Sequence, residues 1–220
     1  MKETHILVIN PNTTASMTNK IAAAARAAAG PGTRITAINP LQGPAAIQGA
    51  ADGAAALPGL NVLFDRTLET DQSISAVIIA CFDDTGLFDL KARSPVPVVG
   101  IGEAAYHVAS VAAPRFSVVT TLPVSVPVLE GNLQRVGLAP RCARVRASDV
   151  PVLELEDPNS DARQRIEAEI ATALRMDGVG AIALGCAGMA DLAADLTTRF
   201  QVPVIDGVAS AVRFAEMVAK

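Results

Sequence analysis

Short β-branched runs alternate with longer stretches of helical spacing along most of the chain. Ile6-Leu7-Val8-Ile9 is an unbroken apolar run, the mark of a strand buried on both faces. Asn12, Thr13 and Thr14 follow as candidate N-caps, and Met17, Ile21, Ala24 and Ala28 then recur at helical spacing. Gly30-Pro31-Gly32 stops that helix. Arg34 to Ile38 is a second strand. Leu60, Leu63, Phe64, Thr67 and Leu68 form another helical face, and Ala76 to Ala80 and Val96 to Ile101 are further strands. The second half repeats the style. Phe116 to Thr120 is a strand, Leu129, Leu133 and Val136 mark a helix, and Arg141 to Arg146 is a weaker strand. Ile166, Ile170 and Leu174 mark a helix closed at Gly178. Val179 to Leu184, Val202 to Ile205 and a terminal helix complete the pattern. Alternating strands and helices with apolar strands predict α/β architecture, with parallel sheets covered on both faces.

The pattern also repeats internally. Ser75-Ala-Val-Ile-Ile-Ala-Cys81 aligns with Gly180-Ala-Ile-Ala-Leu-Gly-Cys186, and Val96-Pro-Val-Val99 with Val202-Pro-Val-Ile205. Arg115-Phe-Ser-Val-Val-Thr-Thr121 resembles His5-Ile-Leu-Val-Ile-Asn-Pro11 at a similar offset, so one unit occurs twice with a period of about 105 to 110 residues. Two copies suit two lobes facing each other across a cleft, and clefts at strand C-termini are where α/β proteins bind ligands.

Composition narrows the classes. The chain has 220 residues, half of them hydrophobic, and a formal net charge of −4. That is enough to bury a core, and the acidic balance argues against a nucleic-acid partner. Three cysteines do not make a disulfide framework. The most apolar long window, Val96 to Ala113, contains Glu103 and His107 and is a poor membrane span. The amino terminus has no signal-peptide pattern, so the expectation is a soluble cytoplasmic protein with reduced thiols.

Cys81 and Cys186 carry the strongest chemical signal. They occupy equivalent repeat positions at the ends of apolar strands, before small or helix-starting residues. A helix N-terminus there would lower a thiol pKa. Each alone also reads as a small buried hydrophobe; the equivalence of the two favours function. Facing thiols suit two-base proton transfer at carbon, one thiolate removing a proton and the opposite thiol delivering one. A Cys-x-x-Cys redox pair is absent, and only His5 and His107 could supplement thiols, so no metal is expected. Cys142 has no repeat partner and reads as a packed thiol. Asn10, Asn12, Thr13, Thr14, Thr120 and Thr121 place polar groups at strand ends, where they could bind a substrate carbonyl or simply cap and turn the chain. Asp83 and Asp84 could hold a substrate N–H or orient Cys81. The loop Gly43 to Gly49, with Ile47, could close over the cleft. Gly100-Ile-Gly102-Glu-Ala-Ala105 imitates a dinucleotide fingerprint but lacks the acid about 20 residues on.

Six segments together resemble the hydantoin racemase family of the aspartate/glutamate racemase superfamily. They are Ile9 to Thr14, Cys81 to Leu87, Pro97 to Ala105, Val119 to Thr121, Leu184 to Met189 and Pro203 to Val208. The resemblance runs from residue 5 to residue 214. It implies two pseudo-symmetric lobes, each a mainly parallel sheet flanked by helices, with the active site between them. The expected division is residues 1–98 plus 206–220, carrying Cys81, and residues 99–205, carrying Cys186. The resemblance further implies no cofactor, homo-oligomers, a small-molecule substrate of the 5-substituted hydantoin class, and catalysis by Cys81 and Cys186. Asn10, Thr13 or Thr14, Thr120 and Thr121 are the implied donors to an enolate-like intermediate, with Phe82 and Asp83 beside the first thiol and Ala187 and Gly188 beside the second. One feature departs from the common pattern: Asp83-Asp84-Thr85-Gly86 stands where the family usually has Gly-Asp-Pro-Gly. The change bears on the C5 substituent, and the ureido group of allantoin would suit the extra carboxylate. Arylmalonate decarboxylase, in the same superfamily, works with one such cysteine, which the second thiol here argues against. A maleate-type cis/trans isomerase and a small-molecule binding protein remain alternatives.

Overall fold

Every strand pairing among the described residues is parallel. In the computed structural model, which describes residues 3–219, the first half supplies β1 (Thr4–Ile9), β2 (Thr33–Ile38), β3 (Ala76–Ile79) and β4 (Val98–Gly100), paired in the order β2-β1-β3-β4. The second half supplies β5 (Phe116–Thr120), β6 (Cys142–Ala147), β7 (Ala181–Gly185) and β8 (Val204–Ile205), paired in the order β6-β5-β7-β8. The second order is the first advanced by four strands, so the sequence repeat is also a repeat of topology.

The helices are α1 (Ala15–Ala28), α2 (Ala50–Thr70), α3 (Leu87–Arg93), α4 (Ile101–Ala112), α5 (Val126–Arg135), α6 (Ala162–Met176), α7 (Ala193–Phe200) and α8 (Gly207–Val218). Strand alternation distributes them into layers, because successive side chains point to opposite faces. Ile6 and Val8 of β1 join Ile78, Phe116, Val118 and Ala183 in one central core, together with Met17 and Ile21 of α1, Tyr106 of α4 and Val212 of α8. Leu7, Ile9, Val77 and Ile79 face the other way and bury Leu60 and Phe64 of α2 and Leu87 and Leu90 of α3. On the second sheet, Val119, Ile182 and Leu184 cover Ile166 and Ile170 of α6 and Leu196 of α7. Burying a side chain such as Phe64 contributes about 1.5 to 3 kcal/mol.

Two helices cross between the sheets. α4 leaves β4 of the first sheet and packs against β7 and β8 of the second. α8 leaves β8 and packs against β1, β3 and β4 of the first sheet, and against α1 and α4. Fully buried Ala104, Ala105, Ala109, Ala211 and Ala215 line these contacts and let the backbones approach closely.

Several elements differ from their sequence reading: β8 pairs only over Val204–Ile205, and α3 and α7 have no counterpart in it. Val96 to Ile101 is expected as one strand, but only Val98–Gly100 pairs, and Ile101 already opens α4. A tertiary contact starts that helix: the Asp84 carboxylate accepts the amide hydrogens of Gly102 at 3.0 Å and Glu103 at 2.7 Å. α2 begins at Ala50, ten residues before its apolar face becomes recognisable, and continues through Pro58. No helix of the described residues is long and apolar enough to cross a membrane.

Candidate active site

The repeat brings the two thiols to one place. Cys81 lies just beyond the C-terminal end of β3, and Cys186 directly follows β7. Both line one small cavity of about 30 Å³, between the strand ends of the two sheets, together with Asn12, Met17, Phe82, Asp83, Thr121 and Ser125. Ile47, Val152 and Ala187 close its sides. The space is on the scale of one water, so a larger ligand must displace the covering segments. Those segments are tied together. Gln48 Oε1 accepts the Val152 amide hydrogen at 2.9 Å, and Lys20 Nζ donates to the Leu155 carbonyl at 3.0 Å and pairs with Glu156 at 3.3 Å.

The segment after β3 is held from several sides. Phe82 packs edge-to-face on Tyr106, with ring centroids 5.4 Å apart. Asp84 sits at φ 50° and caps α4 as described. Asn132 of α5 donates to the Asp83 carbonyl at 2.8 Å. Thr85 Oγ1 donates to Cys81 Sγ at 3.6 Å. Gly49, whose amide reaches the Asp83 carboxyl, adopts φ +90°, and a side chain there would meet the Val124 carbonyl at 2.8 Å. Only glycine lets this backbone enter the site.

Burial reverses the expected tuning of the thiols. It pushes Cys81 well above its ordinary range and Cys186 up to about 11. The Asp83 carboxylate raises both further. The Thr85 hydroxyl and Asp83 amide at Cys81, and the Gly188 amide at Cys186, pull the other way without offsetting the loss of solvent. The expected helix dipole is weak in this place. α3 starts only at Leu87, and Cys186 precedes a short 3-10 stretch, Ala187–Leu192. Asp83 itself is pushed up to about 7, chiefly by burial, against the pull of the Gly49 amide and the Ser125 hydroxyl.

Of the expected site residues, Cys81, Phe82, Asp83, Thr121, Cys186, Ala187 and Ile47 meet at the cavity, and the Gly188 amide reaches Cys186. The other four lie outside its lining and engage their side chains elsewhere. Asn10 Nδ2 donates to Asn12 Oδ1 and Thr18 Oγ1, at 2.9 and 3.0 Å. The Thr13 and Thr14 hydroxyls donate to the carbonyls of Pro44 and Ala45, which anchors the 43–49 loop. The Thr120 hydroxyl donates to the Gly185 carbonyl at 2.9 Å, tying β5 to β7 beside Cys186. Sequence reasoning did not single out Met17, Ala80, Ser125, Val152 or Gly185 as lining residues. Asn12 stood in the polar run after β1, whereas Ser125 and Val152 arrive from second-half loops that carry no local signal. The glycines that imitate a dinucleotide fingerprint have a different use: a side chain at residue 100 or 102 would collide with the Asp84 carboxylate.

A family model described as Asp/Glu/Hydantoin racemase matches residues 6–215. A hydantoin racemase of Rhizobium meliloti is 44% identical over 212 residues, covering 96% of this chain and 87% of the relative. The solved structure of an allantoin racemase from Klebsiella pneumoniae superposes with a TM-score of 0.93 at 44% identity, covering 97% of this chain and 86% of that one. The corresponding figures for an allantoin racemase from Pseudomonas fluorescens are 0.91, 43%, 97% and 89%. Likeness of this extent in sequence and fold places the chain in a family, and it belongs to the Asp/Glu/hydantoin racemase family.

Proposed function

We propose that the protein racemises 5-substituted hydantoins by proton transfer between Cys81, C5 of the substrate and Cys186. The observation that carries this reading is the convergence of two repeat-related thiols on one cavity. It is supported by relatives that bear the names hydantoin racemase and allantoin racemase. The C5 hydrogen of a hydantoin lies beside a carbonyl, so its removal leaves an enolate-like anion. One cysteine, as thiolate, takes that proton from one face and becomes a thiol. The opposite cysteine, as thiol, gives its proton to the other face and becomes the thiolate. The enantiomer is formed, one proton has entered and one has left, and the reverse turnover exchanges the roles. The Asn12 amide and Thr121 hydroxyl, both lining the cavity, are the side-chain donors that would meet the substrate carbonyls. Asn12 Nδ2 rests on the Met17 sulfur at 3.2 Å, a weak acceptor that a carbonyl would outcompete.

Burial holds both thiols neutral. Binding must therefore supply the stabilisation that a thiolate lacks there, and substrate N–H groups are suited to do so. The test is incubation of each enantiomer of allantoin and of 5-benzylhydantoin in D2O, following optical rotation and the C5 proton signal against an enzyme-free blank. Falling rotation with C5 deuteration is the expected result. Retention of the C5 proton in every sample overturns the proposal.

A further inference from the structure

Among the described residues lining the cavity, Asp83 is the only carboxyl. It is 9% exposed, and its Oδ2 is buried without a hydrogen-bond partner. The Gly49 amide and Ser125 hydroxyl approach the same carboxyl group. Buried acceptors are almost always satisfied, so an orphan oxygen in a ligand cavity points to a donor on the ligand. The proton transfer itself does not explain this residue. Its negative charge opposes thiolate formation at Cys81 and at Cys186 alike. A ligand that brings N–H groups to Oδ2 satisfies the orphan atom, and the N–H dipoles offset part of a field that works against the base.

We infer that Asp83 is a specificity-determining residue, whose free Oδ2 receives N–H groups from the C5 substituent and selects a ureido side chain over alkyl or aryl ones. The inference rests on the hydantoin racemase reading above. A ureido group offers N–H donors from more than one nitrogen, matching a carboxylate's capacity to accept several hydrogen bonds. Asp84 does not compete for the role, since its carboxylate is spent on the amides of Gly102 and Glu103.

The test compares the wild type with Asp83→Ala and Asp83→Asn, using allantoin and 5-methylhydantoin as probes. The readout is the ratio of the two kcat/KM values for C5 deuterium exchange. Asp83→Ala should lower the allantoin-to-methylhydantoin ratio by roughly 10- to 100-fold, as expected for loss of a hydrogen bond to a charged acceptor. Asp83→Asn, which keeps one acceptor oxygen, should fall between. A parallel fall for both substrates, or a ratio that moves less than about twofold, overturns the inference. So does a wild type that exchanges methylhydantoin but not allantoin, an outcome that leaves the racemase reading standing. A wild type that exchanges neither substrate removes both. Should the variants not fold, the wild-type ratio measured between about pH 5.5 and 8.5 decides. It must rise as the carboxylate forms, and a flat profile overturns the inference. The titratable groups facing Asp83 are Asp52 of α2, Tyr106 of α4 and the two thiols. The thiols and Tyr106 are held protonated through that range, Cys186 titrating only near about 11.

Discussion

The Asp84 carboxylate and the Gly102 backbone fit together only because residue 102 has no side chain. Oδ1 accepts the Gly102 amide hydrogen at 3.0 Å, and a Cβ on residue 102 would stand 2.8 Å from Oδ2. Gly100 is tighter still, with its Cβ position 2.1 Å from Oδ1. The contact joins the segment carrying Cys81 to the start of α4.

Gly100→Ala and Gly102→Ala should therefore each cost about 3 kcal/mol or more, in the range of overpacking with loss of a buried charged hydrogen bond. Urea unfolding measures this. Gly131→Ala serves as the control, because nothing stands within 4 Å of its Cβ position. Equal stability of all three variants would show that the Asp84 carboxylate, and at residue 102 also the Phe82 carbonyl, can move aside freely.

Cys81→Ser and Cys186→Ser should each lower racemisation by at least about 10²-fold, the usual contribution of a positioned acid or base. Each variant keeps one proton-transferring group, so deuterium exchange should persist for one enantiomer and be lost for the other. The favoured enantiomer should be opposite in the two variants. Normal racemisation by either serine variant would dispose of the two-thiol mechanism.

Asp83 predicts an unusual dependence of stability on pH. Its carboxyl titrates near 7 in the folded chain against an ordinary value of 3.8. Between those values the folded state holds a proton that the unfolded state has lost. Stability therefore falls as pH rises through this window and levels off above it, by an amount on the order of 4 kcal/mol from this residue. Asp83→Asn should remove that slope and be the more stable protein at pH 8. Parallel urea titrations at pH 5 and pH 8 check the sign, and a wild type that gains stability relative to the variant on going to pH 8 contradicts it.

The cover of the cavity should loosen when its ties are cut. Gln48→Ala removes the acceptor for the Val152 amide, and Lys20→Ala removes the contacts to Leu155 and Glu156. Each loss should cost about 1 kcal/mol and speed hydrogen exchange at residues 152–156, while exchange in β1 and β5 stays unchanged. Bound substrate should slow exchange in the same cover. Uniform acceleration across the whole chain would instead indicate global destabilisation.

The central strands β1, β3, β5 and β7 were legible in the sequence because parallel, doubly buried strands have largely continuous apolar runs, and the repeat showed through Cys81 and Cys186. The first turns of α2 were not, since Gly53, Pro58 and Gly59 interrupt an alanine-rich stretch that has no strong apolar face. The close backbone approach at Gly59, whose Cβ position lies 2.5 Å from the Gln42 carbonyl, is a tertiary fact. The site was legible in its chemistry and less so in its lining. A cysteine at a strand end announces itself, whereas Ser125 and Val152 become neighbours of the thiols only through the packing of the second sheet. The thiol pKa direction was misread because sequence position reveals a nearby helix start and not the loss of water around the sulfur.

The crossing of α4 and α8 makes the two halves of the chain a single mechanical unit. Each half finishes with a helix whose apolar face is completed by the other half's sheet, so a protein cut between the repeats would yield two fragments with uncovered cores. Supplied together, such fragments should reassemble, because the helices themselves are the clasp. For the proposed proton transfer between Cys81 and Cys186, the span between the two thiols is thus set by scaffolding that both halves share.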